Sequence, residues 1–107
     1  MSRSLRNRAA IAGIGQTEFS KASGRSELQL ACEASKAALD DAGLQPRDVD
    51  GLVTFTLDSS EEAEVARNLG IPQLTMFARI PYGGGGACAV VMQAAMAVAT
   101  GAANVVV

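Results

Sequence analysis

The chain has no histidine and no tryptophan, aromatic side chains make up only 4% of it, and no charged residue occurs from Ile80 to Val107. Each gap excludes something. Without histidine, a zinc site would have to be built from carboxylates and the thiolates of Cys32 and Cys88, which lie far apart in sequence; no metal site is expected. Two cysteines do not make a disulfide framework either, so a reducing, cytoplasmic setting is expected. No lysine follows Lys36, so the later glycine run cannot complete the Gly-Lys-Ser/Thr of a phosphate-gripping loop. Basic charge is scarce outside Arg3, Arg6 and Arg8. The remaining chain carries six basic against eleven acidic side chains, which offers no stripe for nucleic acid. No apolar core follows those arginines, so a signal peptide is not expected. The apolar run over 87–99, broken only by Gln93, is shorter than the ~20 residues a membrane-spanning helix needs.

What is present is small and apolar. Hydrophobic residues reach 49%, including 20 alanines and 9 valines, which lets backbones approach closely. The uncharged last 28 residues hold Gly83 to Gly86, an Ala-rich stretch to Thr100 and Val105 to Val107. A helix apolar on all sides must be covered on all sides. This block is expected to supply an interior helix and a strand whose sheet continues elsewhere, as the beginning of a larger protein. Residues 1–8 are expected to form a basic flexible terminus and 9–107 a partial domain.

Alternation of apolar runs and punctuation predicts strand–helix units. Ala9 to Gly15 reads as a first buried strand, followed by a polar loop to Arg25. Ser26 and Gln29 have capping-box spacing and open a helix to about Ala42, with Gly43 at its end. Leu28, Ala31, Cys32, Ser35, Leu39 and Ala42 fall on one stripe of that helix. Gly51 to Thr56 reads as the second strand. Asp58 with Glu61, or Ser59 with Glu62, opens a short helix ending at Gly70, and Glu61, Glu62 and Glu64 suit the positive end of its dipole. Leu74 to Ile80 is the third strand. A third helix runs from about Gly85 to Thr100 and stops at Gly101 before a strand over 104–107. The pattern is βαβαβαβ, an α/β fold with a mostly parallel sheet and right-handed crossovers.

Gly13 and Gly15 lack the third glycine of a dinucleotide fingerprint, and close backbone packing explains them better. Gly83, Gly84, Gly85 and Gly86 lead into the amino end of the apolar helix, where free N–H groups could hold an oxyanion or face a thioester. They could equally permit a tight buried turn. Tyr82 could present a hydroxyl or wedge the turn. Cys88 lies near the helix start, where a dipole favours a thiolate, but it has no histidine or lysine partner; an inert core thiol is the expectation. Met92 and Met96 read as core filler.

Ala10 to Phe19 (AIAGIGQTEF) resembles the opening of thiolase-superfamily proteins of the sterol-carrier, lipid-transfer branch, where G-x-G-x-T-x-F follows the first strand. Ala37 to Leu44 with Asp48 to Val53 resembles the next helix, turn and strand of that family, and Met92 to Gly101 its buried active-site helix. The resemblance covers nearly the whole chain and about the first quarter of a thiolase-like protein. Counting back from Gly101, the position of the thiolase nucleophilic cysteine falls on Gly84, and Cys88 lies about one turn too far along. The run Gly83 to Ala89 is instead similar to the aldolase-type members. The resemblance therefore implies an acyl-CoA carbon–carbon lyase acting by retro-aldol cleavage of a steroid or lipid side-chain thioester and releasing propionyl-CoA. It implies coenzyme A thioester as substrate rather than a bound cofactor, acid/base residues beyond Val107, and a homodimer. It also implies a small partner with an OB-like domain and a zinc ribbon. An acyltransferase using Cys88 and a non-catalytic lipid-binding or partner-supporting subunit are the alternatives.

Overall fold

A computed structural model describes residues 4–55, 60–81 and 85–107. Ser26 opens α1 (Glu27–Ala42) as expected, its hydroxyl accepting a hydrogen bond from the Gln29 amide at 3.1 Å. Gly43 closes it at φ 72°, and the Leu44 amide turns back to the Leu39 carbonyl at 2.9 Å. That left-handed ending is the form glycine adopts at least cost. A short 3₁₀ turn, Pro46–Asp48, leads into β1 (Gly51–Phe55). Then come α2 (Glu62–Leu69), β2 (Met76–Ile80) and α3 (Gly86–Thr100).

β1 and β2 pair in parallel, in register from Gly51 with Met76 to Phe55 with Ile80. The end of the chain lies parallel along the other side of β1. Gly51 bridges Val106, Val53 N–H donates to the Val107 carbonyl at 2.9 Å, and Val107 N–H donates to Gly51 at 3.1 Å. β1 is thus the central strand. Successive side chains point to opposite faces. Leu52 joins Leu39, Val49, Val65, Ala66 and Ile71 in the buried core on the α2 side. Phe55 meets the start of α3 on the other. Leu28, Ala31 and Cys32 of the α1 stripe pack against that core, and burial pushes the Cys32 thiol pKa up. Cys32 is a packing residue.

The amino edge of the sheet is closed by Asp50. Its carboxylate accepts the Asn104 amide at 2.9 and 3.0 Å and the Val105 amide at 2.9 Å, which fixes where the last strand begins. Its carbonyl accepts from the Thr75 amide at 2.8 Å and hydroxyl at 3.1 Å, and that hydroxyl also reaches Ala102 at 2.7 Å.

Four features of the structure differ from that layout or add to it. Residues 9–15 form no strand: Ile11 and Ile14 are exposed, and the segment lies against α1. The close approach is to a helix rather than a sheet. A Cβ on Gly15 would lie 2.4 Å from the Ala34 oxygen, one on Gly13 would lie 2.5 Å from that of Ala38, and Ile14 N–H donates to Asp41 at 3.0 Å. Second, Arg8 reaches from the basic terminus to the Ala99 carbonyl at 3.1 Å, near the negative end of α3. Third, Glu61 takes the N-cap position of α2 without a side-chain cap, while Asp58 and Ser59 fall outside the described residues. Fourth, α3 is covered on one side only. Gly86 and Ala97 are buried against the sheet side, whereas Val91 (52%), Met92 (53%) and Met96 remain exposed. The sheet of this chain can cover only one face of the helix. No helix among the described residues is long and apolar enough to cross a membrane.

Candidate functional site at the carboxyl edge of the sheet

In open α/β sheets, ligands bind in the crevice beyond the carboxyl ends of the parallel strands. Here that edge carries the ends of β1 and β2 and the amino end of α3. Tyr82, Gly83 and Gly84 fall outside the described residues. Gly85 and Gly86 are described, and they differ. Gly85 is exposed, with nothing within 4 Å of where a Cβ would stand. Gly86 is buried: a Cβ there would lie 2.1 Å from Cε1 of Phe55 and 2.9 Å from the Pro81 carbonyl. Glycine lets the first turn of α3 sit directly on the Phe55 ring at the strand ends. The N-cap residue is Gly85, which supplies no side-chain cap. The first-turn N–H groups of a helix lack intrahelical partners, which suits them to a developing negative charge.

Within this chain Cys88 is exposed, on the same bare stripe as Val91 and Met92. The reason is the same one-sided cover that leaves the methionines open. No group of three or more histidine, cysteine or acidic residues that could hold a metal occurs among the described residues.

Periodicity gave no warning of an ion pair built on a buried carboxylate at this edge. Glu62, at the start of α2, is 8% exposed. Its Oε1 accepts from the Thr54 hydroxyl at 2.6 Å and from Arg79 Nε at 2.9 Å, and Arg79 Nη2 lies 3.3 Å from Oε2. The same Nη2 donates to the Ser60 carbonyl at 2.9 Å. Thr54 and Arg79 face each other in the sheet register, so one carboxylate ties both strands to α2. Burial would raise the Glu62 pKa, but the bonds from Arg79 and Thr54 outweigh it and hold the group below the usual carboxylate range. A carboxylate so occupied is a poor general base. The available signal was an arginine one residue before the uncharged block begins. A lone charge at a strand end needs a partner, and Glu62 answers it.

No protein-family model matches the chain. It is 73% identical over 99 residues to a steroid side-chain-cleaving aldolase of Thermomonospora curvata, covering 92% of this chain and 25% of that protein. It is 65% identical over 103 residues to the 17-hydroxy-3-oxo-4-pregnene-20-carboxyl-CoA lyase of Mycobacterium tuberculosis, covering 96% and 27%. Among solved structures, the Ltp2-ChsH2(DUF35) aldolase superposes with a TM-score of 0.92 at 70% identity, covering 95% of this chain and 27% of that one. The monomeric SCP2-thiolase like protein type 1 of Mycobacterium smegmatis superposes at 0.73 with 30% identity, covering 90% and 21%. The chain thus spans about a quarter of the length of the curated relatives it matches. It belongs to the thiolase-like superfamily, in the lipid-transfer branch that includes these aldolases.

Proposed function

We propose that this thiolase-like chain is part of a retro-aldol lyase that cleaves the side chain of a steroid or related lipid as its coenzyme A thioester. The observation that carries the reading is the 65% identity, over 96% of the chain, to a lyase named for such a thioester. In a 17-hydroxy-20-carboxyl thioester, a base removes the hydroxyl proton and the C17–C20 bond breaks. The oxygen becomes a ketone, and the electron pair passes into a thioester enolate. Protonation of the α-carbon then gives propionyl-CoA. No oxidant, metal or acyl-enzyme is required.

Gly85 leaves open backbone at the amino end of α3, where N–H groups can stabilise the enolate oxygen, and Gly86 seats that turn on Phe55. Gly83, Gly84 and Tyr82 directly precede them in the sequence and are assigned to the same substrate site. Cys88 is not the nucleophile in this reading, because retro-aldol cleavage needs none. The proton-transfer groups are assigned to other parts of the complete protein, as the resemblance to the aldolase-type members implies; Glu62 is committed to Arg79. The complete protein works as a homodimer with a small partner of the OB-fold and zinc-ribbon type, in the cytoplasm.

The test is to incubate the complete protein and its partner with 17-hydroxy-3-oxo-4-pregnene-20-carboxyl-CoA and identify the products by mass spectrometry. Propionyl-CoA and the 17-ketosteroid in equal amounts are expected. Release of free coenzyme A with an acylated Cys88 would establish the acyltransferase instead, and binding without turnover would leave a lipid-binding subunit.

A further inference from the structure

Glu62 and Arg79 are the charged pair placed closest to the strand ends, and their neighbours on the opposite face of the sheet are the residues that seat α3. Thr54 pairs in register with Arg79, and the next register pair is Phe55 with Ile80. Gly86 rests on the Phe55 ring and beside the Pro81 carbonyl, the latter two residues beyond Arg79. A carboxylate that binds Thr54 and Arg79 together therefore fixes the separation and twist of the two strand ends on which the first turn of α3 stands. The fit at Gly86 leaves no room for even a methyl group, so a small shift of either strand end must move that turn.

We propose that the Glu62–Arg79 ion pair, with Thr54, is a positioning device that holds the amino end of α3 in the geometry used by the thioester. This rests on the placement of the thioester at α3 proposed above. The pair touches no substrate; it acts through the strand ends. The choice of arginine follows from the geometry. Its planar fork reaches both Glu62 oxygens and the Ser60 carbonyl, which a single ammonium cannot span. A misplacement of about 1 Å at a reacting centre can lower turnover by about a hundredfold.

The experiment uses the complete protein with its partner. Glu62→Gln, Arg79→Met and Arg79→Lys are compared by amide hydrogen exchange and by steady-state kinetics on the 20-carboxyl-CoA thioester. Thr54→Val is included as a milder variant in case the others fold poorly. Exchange of the Ala89 and Val90 amides should accelerate about tenfold or more in Arg79→Met, with the amides over 95–99 unchanged. The turnover number should fall at least tenfold with KM within about threefold, and Arg79→Lys should recover only part of the loss. Wild-type exchange and wild-type turnover in variants whose only change is a lower Tm would overturn the proposal, leaving a structural staple. A rise in KM at constant turnover would also overturn it, by making Arg79 a substrate contact. If the wild-type protein cleaves no such thioester, the functional reading fails, while the exchange data still decide whether the pair positions α3.

Discussion

Two carboxylates sit at opposite edges of one parallel sheet, and their partners differ in kind. Asp50, at the amino edge, accepts chiefly from backbone amides and fixes the start of a strand. Glu62, at the carboxyl edge, accepts from the side chains of Thr54 and Arg79 and ties three elements together beside a glycine-built turn. The amino edge closes on itself through the Asn104, Val105 and Thr75 amides, all held by Asp50. The carboxyl edge holds the amino end of α3 open, with an exposed Gly85 and a first turn of N–H groups. The amino edge is tied together by Asp50, and the carboxyl edge is the one we propose for the thioester, as the geometry of parallel sheets favours.

The sharpest way to break this division is at Asp50. Asp50→Ala would strand the Asn104 and Val105 amides, and charge-assisted bonds of this type suggest a loss of about 2–4 kcal/mol. Denaturant unfolding should show that loss, while turnover per folded molecule stays near wild type. A selective loss of turnover would place chemistry at the wrong edge. Gly86→Val should do the reverse. Its Cβ would collide with Phe55 and the Pro81 carbonyl, so activity should fall about a hundredfold, with a calorimetric Tm showing the protein still folded.

Glu62 connects the comparison to pH. Its pKa is held below that of the unfolded chain, so the ion pair stabilises fully above the ordinary carboxylate range, near 4.5. That contribution is lost as pH falls through the lower folded value. Between pH 6 and pH 3.5 or so, wild type should lose more Tm than Glu62→Gln. Parallel curves would mean the pair contributes nothing net. The smallest effect belongs to Cys88→Ala. An exposed thiol outside the mechanism should change stability by under about 0.5 kcal/mol and turnover by less than twofold. A loss of several orders of magnitude with folding intact would restore the acyl-cysteine enzyme.

Much of this layout was legible in the chain. Ser26, Gly43, Gly70 and Gly101 marked helix ends by local chemistry, which acts within one turn and needs no tertiary information. The parallel pairing of strands also followed from alternation. Residues 9–15 misled because an apolar run states a need for cover without saying what supplies it. Glycines at 13 and 15 let that segment lie on α1 instead. The same limit applied to α3, whose sequence demands cover on every side but does not say which face the sheet takes. At the candidate site the glycine run and Cys88 were visible, yet the Glu62–Arg79 pair was not. The two are 17 positions apart, and Glu62 looked like one more acidic residue at a helix start.

The most direct test of the division between the edges is a structure of the complete protein and its partner with a non-cleavable coenzyme A thioester. The account predicts the thioester carbonyl oxygen at the carboxyl edge, about 3 Å from a backbone N–H in the first turn of α3. A thioester bound beside Asp50 at the amino edge would contradict it.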